Sequence, residues 1–143
     1  MQTLAIVSII LLPTEGGEAM SIHWFEAKER EGQAALTCHY ITLNTVASVP
    51  FQYAYKVQVG LNEEGNLVIE PLTKERVERG DLDEYNLQDI SLKKSYSRVS
   101  SSSLLRHIGE ETGLVLTKTA QSYKTKWNEK ENLLIIDIKE GGH

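Results

Sequence analysis

Cysteine is nearly absent from this sequence, because its 143 residues contain only Cys38. A single cysteine forms no internal disulfide and no site with several thiolate ligands, so both are excluded within the chain. The four histidines show no paired spacing with Cys38 or with acidic residues, and the sequence therefore predicts no metal site and no cofactor. The scarcity of cysteine agrees with a reducing compartment, and we expect a cytoplasmic protein.

Long apolar runs are also missing. The apolar stretch at residues 4–12 is too short to span a bilayer as a helix, and no lysine or arginine precedes it as in a secretory signal. We therefore expect no membrane partner. Residues 15–20 can be back-translated into the complement of the bacterial ribosome's message-anchoring tail, followed by the codon of Met20. We interpret residues 1–19 as a translated leader before a single domain at residues 20–143, with a buried strand or a signal or anchor as alternatives.

Motifs for catalysis and phosphate binding are absent as well. Neither of the two Gly-Gly pairs, at residues 16–17 and 141–142, has the flanking strand and helix of a glycine-rich phosphate loop. Cys38 and His39 are neighbours, and on the strand predicted for residues 35–43 they point to opposite faces, which prevents a nucleophile–base pair. The sequence thus favours a non-enzymatic protein, with an enzyme whose site is assembled from distant residues as an alternative.

Apolar and polar residues alternate over residues 51–61, which is typical of a half-buried strand with one apolar face. Tyr53 and Tyr55 belong to the apolar row, so the pattern predicts that short helices cover both rings. Turn residues at 62–66 and a renewed apolar run from Leu67 predict a β-hairpin.

The rest of the chain predicts further short elements in an α+β arrangement. Strands are predicted at residues 21–25, 35–43 and 114–116, a second hairpin at 123–138, helices at 71–79, 81–92 and 104–112, and a loop at 44–50. Pro71 in a first turn, hydroxyl caps at Ser100 to Ser103, and Gly80 and Gly113 after helix ends mark the helix boundaries. We therefore expect a single α+β domain, a mostly antiparallel sheet with two or three short helices packed on one face.

The charges are unevenly distributed along the chain. Residues 60–90 carry nine acidic and three basic side chains, a net charge of −6, whereas residues 91–126 carry seven basic and two acidic ones, a net charge of +5. This segregation predicts two charged surfaces. The acidic candidates for binding a protein partner are Glu75, Glu78, Asp81, Asp83 and Glu84. The basic and aromatic candidates for binding nucleic acid are Lys93, Lys94, Tyr96, Arg98, Lys118, Tyr123, Lys124, Lys126 and Trp127.

The sequence favours a small, cytoplasmic, non-enzymatic binding or accessory protein that acts on a macromolecular partner through charged surfaces. Within that class we expect a bacterial or mobile-element inhibitor with a protein partner, because of the chain's size, the leader interpretation and the missing catalytic motifs. Nucleic-acid binding by residues 91–127 is the first alternative, and an enzyme is the second. A helix-turn-helix over residues 104–126 is disfavoured, because Thr117, Thr119 and Thr125 prefer strands.

Overall fold

Nine strands form one sheet in the computed structural model, which describes residues 21–25 and 31–139. The strands are β1 (Gln33–Leu36), β2 (Tyr40–Leu43), β3 (Lys56–Leu61), β4 (Leu67–Leu72), β5 (Leu87–Gln88), β6 (Ser91–Leu92), β7 (Ser97–Ser100), β8 (Gln121–Asn128) and β9 (Leu133–Ile136). The helices are α1 (Thr45–Ser48), α2 (Lys74–Glu78) and α3 (Ser102–Thr112), with 3-10 turns at Val49–Phe51 and Glu84–Asn86. The predicted leader at residues 1–19 lies outside the described residues.

Every strand pairing is antiparallel, and the spatial order of the strands is β5-β3-β4-β9-β8-β1-β2-β7-β6. The sheet curls into a half-barrel, which confirms the expected α+β class with a mostly antiparallel sheet, although the sheet dominates over the helices. The strand order places β9 between two halves of the sheet: β5, β3 and β4 on one side, and β8, β1, β2, β7 and β6 on the other.

One face of the sheet carries the hydrophobic core. Alternate residues of the strands are fully buried there, because successive side chains of a strand point to opposite faces. Ala47 of α1, and Leu105 and Ile108 of α3, belong to the same buried cluster, so these two helices cover the inner face. Helix α2 contributes no buried residue. The expected packing of helices on one face therefore holds for α1 and α3 only.

Helix α3 ends where the sequence predicts and begins at Ser102, two residues before the predicted start. The Ser101 side chain accepts a hydrogen bond from the backbone N–H of Leu104 at 3.2 Å, which satisfies one free donor of the first turn. Gly113 follows the helix in the left-handed region with φ of 80°, a conformation that costs glycine little. The helix is thus fixed by local signals at both ends.

The β3–β4 hairpin is confirmed, but the strand before its turn is shorter than the predicted one. Pro50 lies in a 3-10 turn, and Phe51 reaches the core from that turn with its ring 6.3 Å from the ring of Trp127. The strand begins only at Lys56, so Tyr53 and Tyr55 are not part of a covered row. Their exposed fractions are 88% and 48%, and the predicted covering of both rings is wrong.

The single strand predicted for residues 35–43 is instead a tight hairpin of β1 and β2. Thr37 is buried, and its Oγ1 accepts hydrogen bonds from the backbone N–H groups of His39 and Tyr40. A hydroxyl that bonds nearby backbone competes with strand pairing, so the chain turns at this point. The predicted loop at residues 44–50 likewise folds into α1, because the Asn44 side chain caps the N–H of Ala47.

Four other predicted elements differ from the structure. Residues 21–25 form no strand, and residues 114–116 are irregular. Strand β4 continues through Pro71, so the helix predicted for residues 71–79 does not begin there. The pairing of β4 with β9 already ends at Ile69, so on that side the missing N–H of Pro71 costs no ladder hydrogen bond. Residues 81–92 form a 3-10 turn and the short strands β5 and β6. The predicted hairpin at residues 123–138 is confirmed as β8 and β9, which excludes a recognition helix there.

Candidate functional site

The outer face of the sheet, opposite the core, carries cations in the half that contains β8, β1, β2 and β7. Lys124 and Lys126 alternate along β8 with the inward residues Tyr123 and Thr125. Arg98 lies on β7 between the buried residues Ser97 and Val99. We call the surface formed by Arg98, Lys124 and Lys126 the basic sheet face.

Arg98 is held in a defined position on this face. Its Nε donates a hydrogen bond to Thr42 Oγ1 at 3.0 Å, and Thr42 is its direct cross-strand neighbour. The guanidinium carbon lies 4.1 Å from the ring centre of Tyr40 and 5.1 Å from that of Tyr96, both within cation–π range. Tyr40 pairs with Ser100, which lies two residues after Arg98 on β7, and Tyr96 lies two residues before Arg98. The two rings therefore lie on opposite sides of the Arg98 side chain along the strand.

No ion pair between described residues involves the three cations of the basic sheet face. A shallow recess of about 290 Å³ opens beside Arg98 over Ala35, Thr42 and Ser122. Toward β9, Asp137 is the cross-strand neighbour of Lys124, because its N–H donates to the Lys124 carbonyl at 2.9 Å. The positive charge of Arg98 is therefore available to a partner, whereas Lys124 has a carboxylate residue on the adjacent strand.

The remaining members of the predicted nucleic-acid set lie elsewhere. Tyr123 is buried and Trp127 packs against the core, so their rings face inward and cannot stack on bases. Burial raises the pKa of the Tyr123 hydroxyl above its ordinary value. Lys93 and Lys94 are exposed between β6 and β7, and Lys118 is exposed in the loop before β8. The structure thus places Arg98 against Tyr96 and puts Lys124 and Lys126 on the same outer face three strands away. Lys93 and Lys94 lie in the turn that leads to Tyr96, since Lys93 N–H donates to the Tyr96 carbonyl, and Lys118, Tyr123 and Trp127 lie away from this face.

The five acidic candidates are exposed on α2 and on the segment that follows it. We call this surface the acidic end. Three of its carboxylates are already engaged: Asp81 accepts from Arg76 at 2.6 Å, Glu78 lies 4.0 Å from Lys74, and Asp83 caps the N–H of Tyr85. Nearby, Lys56 pairs with Asp89, and that hydrogen bond raises the pKa of the lysine. Much of the acidic charge is therefore used within the chain.

A second recess, of about 540 Å³, runs along α3 to the residues that follow its end and gathers Cys38, His39, Ser102, Arg106 and Glu110. His39 Nδ1 is 2.9 Å from Ser102 Oγ. Cys38 and His39 are in the bend between β1 and β2, so both line the same recess, and the prediction that they point to opposite faces of a strand is wrong. We call this recess the helix-end recess.

Sequence reasoning missed the side chains that position Arg98. Tyr40 and Thr42 lie more than fifty residues away from it along the chain, as the separation of 56 between Thr42 and Arg98 shows. Their only local signal is the alternating pattern of a strand, which does not identify the partner strand or its register. Only the β2–β7 pairing reveals this arrangement.

Among residues 21–25 and 31–139, no group of three or more histidine, cysteine, aspartate or glutamate side chains is placed to hold a metal ion. The helices in this part of the chain are all too short to cross a membrane. Comparison of the chain with family models, curated proteins and solved structures found no match.

Proposed function

We propose that this chain is a non-enzymatic binding protein that engages a macromolecular partner through its charged surfaces, and that the basic sheet face binds nucleic acid. The observation that carries the proposal is the uncommitted charge of Arg98, Lys124 and Lys126 on one open face. Within the described residues these cations have no carboxylate partner, whereas most cations near the acidic end do. Polyanion binding draws its affinity from such free cations, which displace condensed counterions.

The placement of the charges on different elements supports the same function. The acidic candidates lie on α2 and the segment after it, whereas Arg98, Lys124 and Lys126 lie on the outer face of β7 and β8. A protein with a net charge of −5 can therefore still present a positive surface. Only residues 89 and 90 connect β5 to β6, so the acidic and basic segments meet at the open side of the curled sheet.

The earlier expectation of a protein partner places contact at the acidic end instead. Three of its five carboxylates already cap or pair with groups of the same chain, which leaves fewer charges for a partner. The finer parts of the proposal, a cytoplasmic protein that serves a bacterium or mobile element as an inhibitor or accessory factor, rest on the single cysteine and the leader interpretation. Binding of a nucleic acid to the basic sheet face is compatible with an inhibitor and with an accessory factor.

Titration of a fluorescent oligonucleotide at several salt concentrations tests this function. We expect binding at low salt, with log K falling linearly against log salt at a slope of about −0.7 for each phosphate contacted on a single strand. Three contacts, one for each cation of the basic sheet face, predict a slope of about −2. Absence of binding at low salt would remove the nucleic-acid function, and capture of a protein that is lost on charge reversal of the acidic end would replace it.

A second candidate function, ester or amide hydrolysis, is favoured by the His39–Ser102 contact in the helix-end recess. The bend that carries His39 is fixed, because its N–H donates to Thr37 Oγ1 at 3.1 Å and its carbonyl accepts from Ser101 N at 3.1 Å. Such a histidine can take the serine proton as the hydroxyl attacks a carbonyl carbon. Hydrolysis of a nitrophenyl ester that is lost in Ser102→Ala and retained in Ser103→Ala would support this function. Equal rates in both variants would exclude it.

A further inference from the structure

The recess beside Arg98 results from the register of four strands. Cross-strand pairing aligns Ser122 of β8, Ala35 of β1, Thr42 of β2 and Arg98 of β7 in one row on the outer face. The side chains of Ser122, Ala35 and Thr42 are small and that of Arg98 is long, so the row leaves a hollow that ends at the Arg98 guanidinium. The hollow measures about 290 Å³ and is open to the outer surface.

Arg98 enters this hollow with most of its donors unused. A guanidinium has five N–H groups, and the Nε group of Arg98 is used by Thr42 Oγ1. The two Nη groups make no hydrogen bond or ion pair with any residue in the described ranges. Because Tyr40 and Tyr96 flank the side chain, its freedom of movement is already reduced before any ligand arrives.

Two outward N–H edges on a restrained planar cation favour an oxyanion with two acceptor oxygens, which a guanidinium binds in a bidentate fork. Lys124 pairs with Gln33, next to the opposite wall of the hollow, so a second cation lies across it from Arg98. These strands are three interstrand spacings apart, about 14 Å, which exceeds the step between adjacent phosphates, so the two cations can reach phosphates that are not adjacent on one polymer. A phosphate chain provides such a series of oxyanions.

We propose that this hollow is a nucleotide subsite for single-stranded nucleic acid, in which Arg98 forks one phosphate while Lys124 contacts another. This inference rests on the proposed nucleic-acid function and assigns its ligand class. The outer side of a curled sheet is convex, and a flexible single strand follows a convex surface and splays its bases, whereas a duplex keeps its bases stacked. Ser122 and Gln33 at the hollow offer hydrogen bonds to a nucleotide placed between the two phosphates.

Fluorescence polarisation with labelled oligonucleotides of about 12 nucleotides, a length within the usual site sizes, tests the subsite. The full chain, Arg98→Lys, Thr42→Val and the control Arg79→Lys at the acidic end are titrated with a single strand and with the duplex of the same sequence. Circular dichroism first confirms that each variant is folded. We expect the single strand to bind about tenfold more tightly than the duplex, and Arg98→Lys to lose about tenfold in affinity although its charge is kept, because the fork is lost.

Thr42→Val removes the hydroxyl that holds Nε, and we expect an intermediate loss of about threefold with no change for Arg79→Lys. Full affinity of Arg98→Lys, or equal affinity for duplex and single strand, would overturn the subsite while leaving general polyanion binding in place. Binding of neither oligonucleotide at low salt would instead remove the proposed function itself. Displacement of the oligonucleotide by polyglutamate at equal charge would show that carboxylates, and not phosphates, are the ligands of Arg98.

Discussion

Two arginines show how differently the halves of this molecule treat their charges. Arg76, near the acidic end, donates to Asp81 at 2.6 Å and is neutralised within the chain. Arg98, on the basic sheet face, has aromatic rings and a threonine hydroxyl as neighbours and keeps its Nη groups free of partners in the described residues. The ion pairs near Arg76 satisfy local charges, whereas the rings around Arg98 position a charge without cancelling it.

The comparison teaches that the number of charges in a segment does not decide which surface can bind a partner. The acidic segment has the larger net charge, −6 against +5, but much of it is used in caps and ion pairs. The basic segment loses two aromatic candidates, Tyr123 and Trp127, to the core and keeps its outward cations. Availability, set by neighbours in space, is the deciding quantity.

The largest expected effect tests whether the two halves form one folding unit. Ile69 of β4 and Ile41 of β2 are both fully buried, one in each half, and share one core cluster. We expect Ile69→Ala and Ile41→Ala each to lower the free energy of unfolding by about 2–5 kcal/mol through lost burial and a cavity. Denaturant unfolding followed by tryptophan fluorescence and by circular dichroism should give one transition in both variants. Val115→Ala, at an exposed position, is the control, and two separate transitions would contradict a common core.

A smaller effect separates the two charged surfaces directly. The double change Lys124→Glu with Lys126→Glu should weaken binding of a single strand by at least about tenfold and lower the magnitude of the salt slope by about 1.4, because two phosphate contacts are lost. The matched reversal at the acidic end, Glu75→Lys with Glu78→Lys, should change affinity by less than about threefold, since screening limits action at a distance. Polarisation titrations measure both. Equal effects of the two reversals would mean that the surfaces do not differ as proposed.

The free energy of unfolding should fall at alkaline pH, because one group in each half, Tyr123 and Lys56, has a raised pKa. Burial raises the folded-state pKa of Tyr123, so the unfolded chain ionises first and stability falls as the pH rises above about 10. The pKa of Lys56 is raised by Asp89, so its contribution is full below about 10.4 and is also lost as the pH rises further. Tyr123→Phe should therefore flatten the alkaline decline in the free energy of unfolding, and Tyr53→Phe, at an exposed ring, should leave it unchanged. An identical decline in Tyr123→Phe and the parent chain would refute this assignment.

The smallest effect concerns the two arginines themselves. Arg76→Ala should lower the free energy of unfolding by only about 0.2–1 kcal/mol, because its pair with Asp81 is partly exposed to solvent. Arg98→Ala should cost somewhat more, about 1–2 kcal/mol, because two cation–π contacts of about 0.5–1 kcal/mol each are lost. Urea unfolding compares the two stabilities, and polarisation compares their binding. A loss of oligonucleotide affinity in Arg76→Ala as large as that in Arg98→Ala would remove the distinction between the halves.

Local signals explain which elements sequence reasoning identified. Helix α3 was predictable because its serine cap, its apolar spacing and Gly113 all lie within a few residues of one another. The β3–β4 and β8–β9 hairpins were predictable for the same reason, since turn residues join neighbouring strands. The strand predicted from residue 51 failed because alternation continues through Tyr53 and Tyr55, while Pro50 and the preceding turn already direct Phe51 into the core.

By itself the sequence determined the antiparallel α+β character, the ends of α3, the two hairpins and the segregation of charge, because each depends on residues close together in the chain. Tertiary structure alone decided that Tyr123 and Trp127 face inward and that Tyr40, Thr42 and Tyr96 surround Arg98. The reason is strand register: a shift of one residue moves every side chain of a strand to the other face, and that register is set by non-local pairing of β2 with β7 and of β1 with β8.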